Sequence, residues 1–235
     1  MEPIVLTDRL QAVAKEIPQG AHMADVGTDH GYLPTWLIQT GRVERLIASD
    51  LRQAPLERAR RNVQKHEVAD RVDLRLCDGL AGIRPDEVDT VVIAGMGGEV
   101  IAKILAAAPW TKACRCILQP MSSHPDLRRW LWSNGYEISL EQLVCEGKTL
   151  YTILTATGGE VTPFSQAECW AGKQQLGDHA PLRHEYLTRR IRQAEIECAG
   201  LERSKKPEDL ARLPQTREIR AALIKLQEEW DSWQQ

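Results

Sequence analysis

The chain has 235 residues, 43% hydrophobic and 27% charged, with a formal net charge of −3. That length holds one full domain plus an appendage, in a composition ordinary for a soluble globular protein. No apolar run approaches the roughly 20 residues of a membrane span, and no basic-then-apolar leader is visible, so a cytoplasmic protein is expected, with no membrane partner.

Leu6, Leu10, Val13 and Ile17 recur at helical spacing around Thr7, a suitable N-cap, and Pro18-Gln19-Gly20 ends that helix. Residues 22–26 read as a first strand, and 33–40 as a short helix closed by Gly41. Residues 45–49 form a second strand closing on Asp50, and 55–66 a helix with Leu56, Ala59 and Val63 on one side. A third strand, 72–76, runs into Cys77-Asp78-Gly79-Leu80. Residues 88–94 read as a fourth strand, and its apolar run from Val91 to Ala94 is the mark of a strand buried on both faces. Gly95-Met96-Gly97-Gly98 follows as a turn, then a helix carrying Val100, Ile101, Ile104 and Leu105. Residues 114–118 form a fifth strand ending at Gln119-Pro120, and 126–132 a helix stopped by Asn134-Gly135. Two more strands, 138–145 and 151–156, flank a tight turn at Glu146-Gly147-Lys148.

This order predicts an α/β fold: a doubly wound, mostly parallel Rossmann-like sheet with an antiparallel edge. Thr157-Gly158-Gly159 marks a composition break, dividing the chain into domains 1–158 and 159–235. Beyond it, Leu187, Ile191, Ala194, Cys198 and Leu201 make one heptad stripe, and Ile219, Leu223, Leu226, Trp230 and Trp233 a second. The short turn at Ser204-Lys205-Lys206-Pro207 predicts an antiparallel, coiled-coil-like helical hairpin, with a kink or restart at Pro214. The six cysteines include no Cys-x-x-Cys pair, so all read as reduced packing residues and no metal site is expected.

The most informative stretch is Ala24-Asp25-Val26-Gly27-Thr28-Asp29-His30-Gly31-Tyr32-Leu33-Pro34. A strand enters a glycine-punctuated turn and a helix begins, as in nucleotide-cofactor sites. Asp29 stands where dinucleotide sites keep a glycine for a pyrophosphate. Its carboxylate repels a diphosphate and attracts a cation such as the sulfonium S-adenosylmethionine. Gly27 and Gly31 let the backbone approach the cofactor, and Asp25 orients the turn or binds the methionine amine. Asp50 is placed to accept from the ribose hydroxyls, and Asp78 from the adenine amine. One such aspartate alone reads as a cap; three at successive strand ends read as a site. The glycines after Ala94 leave room for a flat substrate, and Gln119 offers an amide to a base edge.

The chain resembles the bacterial tRNA adenine-22 N1-methyltransferases, which are class I S-adenosylmethionine enzymes. The resemblance rests on Asp-Val-Gly-Thr-Asp-His-Gly-Tyr-Leu-Pro at 25–34, Ser49-Asp50, Asp78-Gly79-Leu80 and Ile93-Ala94-Gly95-Met96-Gly97-Gly98. It continues through Leu118-Gln119-Pro120, Leu127-Arg128-Arg129-Trp130-Leu131 and Asn134-Gly135-Tyr136. It implies methyl transfer to N1 of a tRNA adenine, a flipped or unpaired base, since N1 lies on the pairing edge. On that reading Asp29 is the catalytic carboxylate. The cofactor residues are Asp25, Gly27, Thr28, His30, Gly31, Asp50, Leu51, Asp78, Gly79, Ala94, Gly95, Met96 and Gly97. Gln119 and Pro120 face the base, and Arg183, Arg189, Arg190, Arg192, Lys205 and Lys206 contact tRNA phosphates. The last six lie in a segment, 183–225, with 11 Lys/Arg against 7 Asp/Glu; a solvated helix face is the competing reading. Where the family often has Gln-Pro-Asn, this chain has Gln119-Pro120-Met121, so no base-binding asparagine carries over. A monomer is expected. Rival readings are another class I methyltransferase, a dinucleotide oxidoreductase, disfavoured by Asp29, and a non-catalytic RNA-binding scaffold.

Overall fold

A computed structural model gives the structure of the protein and describes residues 4–178 and 180–234. The chain divides into two compact units, Met1–Thr162 and Pro163–Gln235. In the first, helix α1 (Asp8–Glu16) is capped by Thr7, whose side chain accepts from the Leu10 amide. Then come β1 (Met23–Val26), α2 (Tyr32–Gln39), β2 (Leu46–Asp50), α3 (Gln53–Lys65) and β3 (Val72–Leu76). After them follow β4 (Thr90–Gly97), α4 (Gly98–Ala107), β5 (Arg115–Ser122), α5 (His124–Ser133), β6 (Tyr136–Glu146) and β7 (Thr149–Gly158). A 3₁₀ turn at Pro109–Ala113, not expected from the sequence, joins α4 to β5.

The seven strands form one sheet in the order β3-β2-β1-β4-β5-β7-β6. Pairs among β1 to β5 are parallel; β7 runs antiparallel to both β5 and β6. Strand alternation splits the core in two. Met23, Ala48, Val92 and Ile117 join Val13, Leu37 and Val63 of α1, α2 and α3. Ala24, Ile47, Val91, Ile93 and Leu118 join Ile101, Leu105, Leu127 and Leu131 of α4 and α5. Connections after β1 and β4 therefore lie on opposite faces, opening a crevice between their carboxyl ends.

Two strands outrun the sequence reading. β4 continues through Gly95 and Met96 to Gly97, and β5 through Gln119 and Pro120 to Ser122. They stay paired through register shifts at Ala94/Met96 and Met96/Gly97, so the partner strand overrides the turn tendency of the glycines. Cys114 and Cys116 are both buried in the same core layer, and burial pushes the Cys116 thiol up to about 12, which suits packing.

In the second unit, α6 (Gln166–Ala171) starts on a capping box between Ser165 and Glu168. α7 (Arg183–Arg203) and α8 (Pro207–Trp233) then pair antiparallel, as their cross-links show. His184 meets Asp231 at 2.7 Å, while Arg212 and Arg217 reach Glu197 and Glu202 at 2.7 and 2.8 Å. Leu187, Ala194, Cys198 and Leu201 are buried, as are Ile219, Leu223 and Trp230. α8 does not restart at Pro214. It remains one helix through Pro214, its eighth residue, because the stripe of Ile219, Leu223 and Trp230 packed beyond it carries the helix onward.

α4 begins against the end of β5. A Cβ on Gly98 would lie 2.6 Å from the Ser123 carbonyl oxygen and 3.0 Å from Leu127 Cβ. Gly98→Ala is therefore expected to lower unfolding free energy by about 1–3 kcal/mol in urea titration; an unchanged midpoint contradicts this packing.

Candidate active site

The ends of β1 and β2 are stitched together. The Gly27 and Thr28 amides donate to the Ser49 carbonyl at 2.8 and 3.0 Å. Asp50 accepts from the Arg52 amide at 2.9 Å and the Asp29 amide at 3.4 Å. Between these bonds the turn takes positive φ at alternate residues: Gly27 at 78°, Asp29 at 46° and Gly31 at 68°. Aspartate is among the few non-glycine residues that tolerate this region, so Asp29 supplies charge where the turn demands a left-handed residue. A Cβ on Gly27 would overlap Met96 Cε, and one on Gly31 would stand 3.1 Å from Ala59 Cβ. The first glycine lets the β4 loop close over the turn; the second lets α3 pack against it.

Beyond the carboxyl ends of β1 to β4 lies a cavity of about 800 Å³. Of the residues expected at a cofactor site, Gly27, Asp29, Asp50, Leu51, Asp78, Gly79, Ala94, Gly95 and Met96 line it. Apolar Leu80, Ile83, Val100 and Ile104 complete its wall, along with Lys103 and Trp110, which the sequence reading missed. The remaining expected cofactor residues, Asp25, Thr28, His30, Gly31 and Gly97, lie outside this lining, and His30 lines a separate depression. Asp25 and Thr28 are buried, Gly31 begins α2, and Gly97 caps α4. Asp25 is 5% exposed. Burial lifts its carboxyl to about 6; the Thr28 side chain pulls it down and the charge of Asp50 adds to the rise.

Asp29 has a partner that sequence reasoning did not assign. Arg58 of α3 donates to it at 2.6 Å, and His30 Nε2 lies 3.6 Å away. The carboxylate side chain is half exposed at the cavity rim. His30 stacks on Tyr32, with centroids 5.4 Å apart and planes 6° from parallel.

Three expected substrate contacts, Gln119, Pro120 and Arg183, are buried. Gln119 is fully buried, so its amide is not offered to a base edge. Its oxygen accepts from Arg9 at 2.7 Å and the Gly95 amide at 3.1 Å; its nitrogen donates to the Pro120 carbonyl at 2.9 Å. Gln119 is a brace for the glycine loop, and the neighbouring Pro120 is also buried. Arg183 is likewise buried and does not reach phosphate. It donates to the carbonyls of Ala171 and Gly172, which close α6. On the same hairpin, Arg189 pairs with Glu185 at 2.5 Å, and Arg190 sits 4.6 Å above the Tyr186 ring. Arg192, Lys205 and Lys206 are exposed.

The donor set fits S-adenosylmethionine. Aspartates stand at three successive strand ends, and glycine leaves the turn open where a side chain would collide. Among the described residues, no cluster of three or more His, Cys, Asp or Glu is arranged to hold a metal ion.

Residues 6–154 match the family model described as a methyltransferase domain. The chain is 38% identical over 162 residues to the tRNA (adenine(22)-N(1))-methyltransferase of Bacillus subtilis (strain 168), covering 68% of each protein. The crystal structure of the B. subtilis m1A22 tRNA methyltransferase TrmK superposes with a TM-score of 0.85 at 28% identity, over 95% of this chain and 99% of that one. M. capricolum TrmK, solved with the cofactor product S-adenosyl-homocysteine, gives 0.77 at 27%, over 93% and 97%.

The raised Asp25 carboxyl has a stability signature. The folded state holds this proton more tightly than the unfolded chain, so the contribution of Asp25 to stability is greatest in acid. It falls as pH rises from the ordinary value near 3.8 through about 6, then levels off. Asp25→Asn removes that loss. Its stability advantage over wild type, measured without cofactor, should be about 2 kcal/mol larger near pH 7.5 than near pH 4.5. An advantage independent of pH contradicts the shift.

Proposed function

The chain belongs to the tRNA (adenine-22-N1)-methyltransferase family, and we propose that it methylates N1 of adenine 22 in tRNA with S-adenosylmethionine as methyl donor. The observation that carries this reading is the cavity over the β1–β4 crevice, walled by glycines and rimmed by Asp29, Asp50 and Asp78. When bound, the cofactor supplies a methyl carbon made electrophilic by the adjacent sulfonium.

Asp50 is the group for the ribose hydroxyls. The Arg52 and Asp29 amides already fix its orientation. Asp78 and Gly79, with Leu51 opposite the apolar wall, would hold the adenine end. Asp25, buried in β1 just before the turn, supports it. Ala94, Gly95 and Met96 leave space for the incoming base, with Gln119 bracing their loop through the Gly95 amide.

Adenine N1 has a free lone pair, so no side chain need remove a proton before attack. The work of the protein is to align nucleophile and methyl group and exclude water. Positive charge appears on the adenine as N1 gains its methyl, and a fixed carboxylate at the rim stabilises that charge. Asp29 takes this role, oriented by Arg58 and His30. Arg192, Lys205 and Lys206 contribute phosphate contacts from the helical unit. The protein is assigned to the cytoplasm and treated as a monomer.

With labelled cofactor, methyl incorporation should appear in a tRNA transcript bearing adenine at position 22 and vanish when that base is guanine. Equal labelling of both transcripts contradicts the substrate assignment. Asp29→Ala should lower turnover by about 10²–10³ with S-adenosyl-homocysteine affinity retained, whereas Asp50→Ala should weaken that affinity by about 10-fold or more. Wild-type turnover of Asp29→Ala overturns its catalytic role.

A further inference from the structure

Residues 58, 61, 62 and 65 follow the i, i+3, i+4, i+7 spacing of one helix stripe, beside the buried stripe of Leu56, Ala59 and Val63. On α3 this second stripe holds Arg58, Arg61, Asn62 and Lys65. α3 as a whole carries four cations and a single carboxylate, Glu57, which pairs with Arg60 at 3.5 Å. Arg61 and Lys65 are exposed and make no ion pair among the described residues. The four stripe residues and the stacked His30 and Tyr32 line a separate depression of about 310 Å³. The tight contact of Gly31 with Ala59 holds α3 against this turn.

We propose that this depression is an RNA subsite. It receives a nucleotide adjacent to the reacting adenine, with its base on the Tyr32–His30 platform and its phosphate between Arg61 and Lys65. The inference rests on the tRNA-methyltransferase reading above and assigns substrate contacts to the catalytic unit itself. Three observations carry it. Tyr32 is 47% exposed although it is stacked on His30, so aromatic surface remains open to solvent, and aromatic rings take bases of any sequence. Cations beside the platform without carboxylate partners match a phosphate, and Arg58 Nε and Asn62 Nδ2 are buried donors lacking a partner among the described residues. Finally, Asp29 lines the cofactor cavity while Arg58 lines this depression, so one 2.6 Å ion pair separates the two. A nucleotide next to the target base lies within that reach. Arg58 is thus a positioning residue: a phosphate drawn to it would couple RNA docking to the orientation of Asp29.

The test uses the full chain and an unmodified tRNA transcript with adenine at position 22. Arg61→Gln/Lys65→Gln should raise the tRNA KM by about 10-fold with little change in kcat, and reduce the slope of log affinity against log salt by about 1.4. Tyr32→Ala should lower kcat/KM by about 10-fold or more, with Tyr32→Phe within about twofold of wild type. S-adenosyl-homocysteine affinity, measured by calorimetry, should remain within about twofold in every variant, because the two pockets are distinct. A double variant with unchanged tRNA KM and salt slope overturns the subsite. So does a parallel loss of S-adenosyl-homocysteine affinity, which would place these residues in the cofactor site. Wild-type protein that methylates no tRNA removes the functional premise instead, and the two failures are distinguished by wild-type activity.

Discussion

The site depends on the stitch between the carboxyl ends of β1 and β2. Two amides of the first turn converge on the Ser49 carbonyl, and two more meet the Asp50 carboxylate. These bonds hold a turn with three left-handed residues, a conformation that costs free energy wherever a side chain is present. Asp29 bears that cost in a place where charge is useful. Asp25 adds another: a buried carboxyl pushed up to about 6 by desolvation. Strain and desolvation meet on one turn, as expected where a fold is shaped for chemistry as well as stability.

Electrostatics divide the surface around this turn. The cavity side carries three carboxylates, Asp29, Asp50 and Asp78, against two cations, Arg52 and Lys103. The α3 side carries Arg58, Arg61 and Lys65. A sulfonium suits the first and a phosphate chain the second, and the Asp29–Arg58 pair marks the boundary. Both side chains are at least a third exposed, so this pair adds little to stability; its consequence is orientation.

Much of this was legible in the chain. Apolar runs marked the central strands, aspartates marked their ends, and the heptad stripes marked the hairpin. What was not legible depended on partners distant in sequence. Gly95-Met96-Gly97 reads as a turn by composition, yet β5 holds it in the sheet. Gln119 reads as a free amide at a strand end, but Arg9 and Gly95 occupy its oxygen. Arg183 reads as a surface cation, and the open carbonyls after α6 draw it inward. The cationic stripe of α3 was visible in its spacing. Its signal is masked because the excess of Lys and Arg is spread over the longer hairpin segment, while Leu56, Ala59 and Val63 mark α3 first as a core helix.

The most direct test of the account is a crystal structure of this protein with S-adenosyl-homocysteine. The account predicts ligand density in the cavity over the β1–β4 crevice, with the ribose on Asp50 and the adenine beside Asp78. Density elsewhere, or a ribose without contact to Asp50, would contradict it.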